Sequence, residues 1–253
     1  MKAFAVRYPF LFGLIVSLLA ILGQMWTLWV PGLHQNIQIL LARATDLALA
    51  ILLLTSFHWW QETGFVRIKT WKIWLPYLPL ILLVVLGYAS MLGTIGIQVN
   101  DPVLILLGAI SFMAGGFVEE ALFRGVVLRA FLPRRLLTAA LLSSLVFSLA
   151  HVPNLLIGQS FGATALQSVR TFLVGFAFVA PLAYTRNIWP LVILHASMNF
   201  SSFLGSGSIT LIATESPGIS QIVTEFVLFG LMAVYGYWLL HRAEHRFTPD
   251  QSR

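Results

Sequence analysis

Between Gly115 and Gly125 the chain reads Gly-Gly-Phe-Val-Glu-Glu-Ala-Leu-Phe-Arg-Gly, inside an apolar run from about Val103 to Leu132. Two adjacent carboxylates and a guanidinium there would sit within hydrocarbon. A lone charge at a bilayer centre costs roughly 2.5–3.5 kcal/mol on insertion scales, so such residues normally face a protein interior and carry a function. On a helix each residue turns ~100°, so Glu120 and Arg124, four apart, share a face and can pair. Glu119 points about 100° away and has no local partner. A carboxylate free to take a proton in low dielectric is suited to general-base work.

Two further stretches carry groups that such a base could use. His151 closes Phe147-Ser148-Leu149-Ala150-His151, with Phe147 one turn back on the same face. His195 opens His195-Ala196-Ser197-Met198-Asn199, with Asn199 one turn on. A single histidine in a span is more often an interhelical hydrogen-bonder than a catalyst. Two histidines, an asparagine and an unpaired glutamate on three segments, with few other polar groups competing, point to hydrolysis. Glu119 takes a proton from water, one histidine orients that water, and the other histidine with an amide N–H stabilises the oxyanion. Glu119, His151 and His195 also fit the His₂Glu set of a catalytic zinc with an open position. The His-Glu-x-x-His signature of zinc proteases is absent.

The elements that must position these groups are membrane spans. A 253-residue chain that is 58% hydrophobic and 9% charged, with mean hydropathy +0.88, is an integral membrane protein. We expect an all-α polytopic bundle with about eight spans, near 9–30, 37–58, 74–96, 103–130, 136–153, 165–185, 188–205 and 219–240. No linker or internal repeat divides them. The expected organisation is one domain over 1–253, with 103–205 as the core carrying the motifs. The first apolar run has no small-x-small cleavage site after it and reads as an uncleaved span. Absence of cysteine excludes disulfides, thiol nucleophiles and thiolate metal sites.

Charge supports this layout. The net charge of +6 is not gathered into a basic stripe, which argues against nucleic acid as a partner. Lys2, Arg7, Arg67, Lys69, Lys72, Arg134, Arg135, Arg186, Arg242 and Arg246 fall in alternate connections and at the termini. The intervening loops carry His34, Asp101 and Glu215 with no Lys or Arg. The positive-inside rule therefore puts both termini in the cytoplasm. Trp59, Trp60, Trp71, Trp74 and Trp189 are expected as interfacial anchors. Gly158 to Gly162 is a polar break suited to a re-entrant or cavity-lining turn. Arg43 and Asp46, three apart, read as a structural pair that neutralises itself. Arg170 has no local acid and needs one across the bundle, or water; Glu225 reads as structural.

The ordered trio Glu-Glu-x-x-x-Arg, Phe-x-x-x-His and His-x-x-x-Asn resembles the CAAX-protease and bacteriocin-processing (CPBP, or Abi) intramembrane proteases, which include the type II CAAX prenyl endopeptidase (Ras-converting enzyme). The resemblance covers roughly 103–205. It implies Glu119 as the base that activates water with His151, and His195 with Asn199 as the oxyanion site. Glu120 and Arg124 match the second Glu and the Arg of the first motif; our reading is that they pair and orient the helix. Members have been described as metalloproteases, but the resemblance to the Ras-converting enzyme favours a metal-free glutamate mechanism, so no cofactor is expected ahead of zinc.

The leading expectation is thus an intramembrane endopeptidase in a bacterial plasma membrane, acting on a membrane protein or peptide. A non-catalytic immunity or peptide-binding factor with the same cavity is the alternative, followed by a small proton-coupled transporter. One spacing needs explaining. At ~1.5 Å per residue, His151 lies about 22 Å from the start of the fifth segment and His195 about 10 Å from the start of the seventh. They meet only if helices tilt, the fifth begins below the surface, or the boundaries shift.

Overall fold

Apolar residues that cannot all be buried in 253 positions must face something other than water, and here they face outward. Leu18, Leu82, Leu106, Ile110 and Val234 are exposed on the outer helix faces, while Ser17, Ser111, Ser143, Ser144 and Ser148 are buried between helices. Small residues let helix backbones approach where no hydrophobic effect drives them together. A Cβ on Gly116 would lie 2.8 Å from the Val192 carbonyl oxygen, and one on Gly236 would lie 2.9 Å from Ala177 Cα.

The computed structural model describes residues 2–33 and 35–247, so His34 of the loop pattern lies outside the described residues. Its helices are α1 (Lys2–Arg7), α2 (Pro9–Met25), α3 (Gln35–Phe57), α4 (Leu78–Thr94), α5 (Pro102–Glu119), α6 (Leu128–Phe131), α7 (Leu136–Leu149), α8 (Phe161–Thr185), α9 (Trp189–Ser206) and α10 (Ile219–Phe247). No strand occurs among the described residues, so the protein is the all-α polytopic bundle expected. Local sequence fixes the starts. Asp101 Oδ1 accepts from Val103 N (2.8 Å) at the head of α5, with Pro102 in its first turn.

Among the described residues seven helices are long and apolar enough to cross a membrane: Pro9–Trp29, Ile37–Phe57, Trp71–Thr94, Pro102–Phe131, Leu136–Ile157, Phe161–Thr185 and Ile219–Glu244. The remaining expected segment, 188–205, is helical as α9 but is outside that set. Its polar stripe, the part that carries His195 and Asn199, is what lowers its apolarity. The helices pack as α5 on α9, α7 on α8, α8 on α10, α2 on α3 and α4 on α9.

The basic connections gather at one end of the bundle. Lys2 lies over the Trp59 ring (5.9 Å), Glu62 pairs with Arg129 (2.9 Å), and Ile188 N donates to Gly64 O (3.0 Å). The other loops meet at the opposite end, where Gln98 N donates to Leu204 O and Ser160 Oγ to Glu215 O.

Two expectations are corrected. Trp59 is not an interfacial anchor: it is buried, its ring 4.7 Å from Phe57. The depth mismatch arises because α9 starts inside the protein. Asn187 and Ile188 are buried under the loop of residues 58–66, with Asn187 Nδ2 donating to Val66 O and the Tyr77 hydroxyl donating to Asn187 O. Gly64 makes that cover possible. It has φ +95°, and a Cβ there would sit 3.0 Å from Ile188 N. The Gly158–Gly162 break is a turn: a 3₁₀ stretch over Val152–Ile157, left-handed Gly158, and Ser160 capping α8.

Candidate active site

The first motif sits where helical winding changes. After Glu119 the chain runs as a π-helix from Glu120 to Val127, and the Leu128 N–H donates to Phe123 O, five residues back. Such widened turns concentrate at functional sites because they re-aim side chains within a continuous helix. Glu120 and Arg124 are both buried and pair at 3.2 Å (Oε1 to Nη1), as their spacing requires.

Glu120 has a second partner across the bundle. His195 Nδ1 donates to Glu120 Oε1 at 2.6 Å. That bond fixes the ring, and His195 Nε2 then faces Glu119 Oε2 at 3.4 Å. One imidazole is thus held between two adjacent carboxylates. Glu119 and His195 keep 20% and 13% of their side-chain surface accessible, while Glu120 keeps none. The site therefore has a closed half that holds the geometry and an open half that water can reach.

His151 enters from α7. It lies two residues past the helix end, and its Nδ1 donates to Phe147 O at 2.9 Å. This is the carbonyl four residues back, one of those left unpaired at a helix C-terminus. The bond sets the tautomer and leaves Nε2 as a free acceptor. Phe147 is the wedge of the site. Its ring meets His151 edge-on (4.9 Å, 85°), lies 6.3 Å from the His195 ring, and covers the Arg124 guanidinium at 4.0 Å. Asn199 is one turn beyond His195, half-buried, and makes no hydrogen bond to any described residue.

The structure thus brings Glu119, Glu120, Arg124, Phe147, His151 and His195 into one cluster. Phe178 of α8 was not singled out from the sequence. Its ring lies 5.3 Å from Arg124 and 6.0 Å from His195, completing the wall opposite Phe147. A phenylalanine within an apolar run carries no signal of such a role.

Arg170 meets Glu225 across the bundle at 3.4 Å, so its acid comes from α10. The expected Arg43–Asp46 pair is not formed: no ion pair within 4.0 Å joins them among the described residues. Asp46 is instead wholly buried beside Gly23 and Gln24.

Among the described residues no group of three or more His, Asp or Glu is arranged to hold a metal ion. Both nitrogens of His195 face carboxylates and Nδ1 of His151 is bonded to a backbone carbonyl.

Fold and site together define a multi-pass integral membrane protein with an enclosed Glu/His/Arg cluster between α5, α7 and α9. Residues 101–201, which contain all three motifs, match the model of a family described as Type II CAAX prenyl endopeptidase Rce1-like. The CPBP/CAAX-protease resemblance is thereby borne out. Comparison with the curated proteins finds no match.

Proposed function

We propose that the protein is a CAAX-type intramembrane endopeptidase that hydrolyses a peptide bond of a membrane-embedded protein or peptide with a water activated by Glu119. The family match over 101–201 supports the class of activity. The observation that carries the mechanism is the His195 ring held by Glu120 at 2.6 Å with its other nitrogen toward Glu119.

One hydrogen of the water is accepted by Glu119 and the other by Nε2 of His151, which aims the oxygen lone pair at the carbonyl carbon. The C–O bond forms as Glu119 takes its proton, and the carbonyl π pair moves onto oxygen. The unengaged Asn199 amide donates to that oxyanion. When the intermediate collapses, the C–N bond breaks and the departing amine takes the proton from Glu119. His195 keeps Glu119 oriented throughout. Glu120, Arg124 and Phe147 support that histidine without touching substrate.

The basic end of the bundle is the cytoplasmic end in this reading, in a bacterial plasma membrane, and 1–253 acts as one unit. The decisive experiment replaces Glu119 with Gln, keeping shape and removing the base. Loss of cleavage with normal insertion is expected. A protein that retains its full biological effect as Glu119→Gln is a peptide-binding or immunity factor, and proton-coupled flux in vesicles would make it a transporter.

A further inference from the structure

A further cation, Arg43 of α3, lies beside the helix that carries Glu119. Its guanidinium rests on the backbone of α5 at Gly115, where an added Cβ would lie 3.3 Å from Cζ and 3.5 Å from Nη1. Gly115 and Glu119 are four residues apart on α5 and share a face. The guanidinium therefore lies about one helical turn, ~5.4 Å of rise, from Glu119 along the same surface.

Arg43 is half-buried in a segment that reads as a membrane span, yet it forms no hydrogen bond or ion pair among the described residues. Its nearest acid in sequence, Asp46, packs against Gly23 and makes no ion pair with Arg43 within 4.0 Å among the described residues. An unpaired guanidinium at membrane depth is costly to keep, and is retained where something comes to meet it. Meanwhile the nitrogens of His195 are both turned to carboxylates, and Asn199 is one donor where an oxyanion usually has two or more.

We propose that Arg43 is a catalytic residue, which donates from its guanidinium to the carbonyl oxygen of the scissile bond and to the oxyanion formed from it, opposite Asn199. The inference rests on the hydrolytic reading above. As water's oxygen bonds to the carbonyl carbon and Glu119 takes the proton, the π pair moves to oxygen, and the new negative charge forms beside a cation that makes no ion pair among the described residues. The role uses planar N–H donors, which Lys supplies only in part.

The test compares wild type with Arg43→Ala, Arg43→Lys and Gly115→Ala, the last crowding the guanidinium while leaving Arg43 in place. Each is measured on a membrane-anchored peptide that the wild type cuts, and on its phosphinate analogue, whose tetrahedral phosphorus replaces the carbonyl carbon. Thermal unfolding in detergent is recorded for each. We expect kcat to fall about 10²-fold in Arg43→Ala with little change in KM. The phosphinate should bind more weakly by a similar factor, and Arg43→Lys should recover part of both. Unchanged kcat in a folded Arg43→Ala protein, or a lost kcat with unchanged phosphinate affinity, overturns the assignment. Should Arg43→Ala not fold, Gly115→Ala and Arg43→Lys decide, since full activity in both excludes a geometric role for the guanidinium. Failure of wild type to cut any peptide removes the proteolytic reading itself, a result separable from wild-type cleavage that is indifferent to Arg43.

Discussion

Glu120 and His195, 75 residues apart in sequence, are joined by a 2.6 Å bond between Oε1 and Nδ1, and that bond sets which way His195 faces Glu119. The carboxylate that helical spacing pairs with Arg124 alone is shared between a cation on its own helix and an imidazole on another.

Breaking this arrangement from one side should cost more than removing it whole. Glu120→Ala leaves Arg124 buried without a counter-charge and is expected to destabilise the protein by about 3–5 kcal/mol. Glu120→Met combined with Arg124→Met should cost less than Glu120→Ala alone, because no orphan charge remains. Thermal unfolding in detergent reads both. Activity should be lost in each, since His195 is no longer oriented.

Phe147 makes a different prediction. Its ring covers Arg124 at 4.0 Å and meets His151 edge-on at 4.9 Å. Phe147→Leu keeps most of the buried apolar volume but removes the cation–π contact, worth about 0.5–2 kcal/mol. We expect modest destabilisation and a kcat reduced at least tenfold, measured on the same membrane-anchored peptide. Stability lost without any loss of kcat would mean that the ring only fills space.

Much of the layout was readable because membrane constraints leave few options. Charges at membrane depth are rare, so Glu119, Glu120, Arg124, His151 and His195 stood out, and the Glu120–Arg124 pair followed from helical spacing alone. What could not be read depends on contacts between helices. How His195 sits between the two glutamates depends on the packing of α9 against α5, which no local pattern announces. The burial of α9's first residues comes from a loop more than 100 residues earlier, through Gly64 and Val66. Arg43 and Asp46 looked self-neutralising because three-residue spacing permits it. Packing against Gly23 and Gly115 separates them instead.

Glycine placement offers a clean test of the α5–α9 contact. Gly116→Val would place side-chain atoms against the Val192 carbonyl (Cβ 2.8 Å) and the Ala196 amide nitrogen (Cβ 3.0 Å), both rigid backbone. It should push Glu120 away from His195 and abolish activity. Gly93→Ala, which meets nothing within 4 Å, should leave activity unchanged. Equal behaviour of the two variants in a cleavage assay would contradict the packing described.

Metal dependence can be settled in solution. In the metal-free glutamate mechanism proposed above, extensive chelation should leave activity intact, and the purified protein should hold far less than one zinc per chain by elemental analysis. Activity lost to chelator and restored by zinc would contradict that mechanism.

Orientation is equally testable because the chain has no cysteine. Single cysteines replacing Arg186 and Glu215 should differ in labelling by a membrane-impermeant maleimide on intact cells. Only the Glu215 position is expected to react. Labelling at position 186 would invert the topology.

The measurement closest to the central claim compares the membrane proteome of cells carrying wild-type protein with that of cells carrying Glu119→Gln at equal abundance, reading the chain termini of every membrane protein. The account predicts a set of new termini present with wild type and missing with Glu119→Gln. Identical termini in the two, with the wild type inserted and folded, would contradict it.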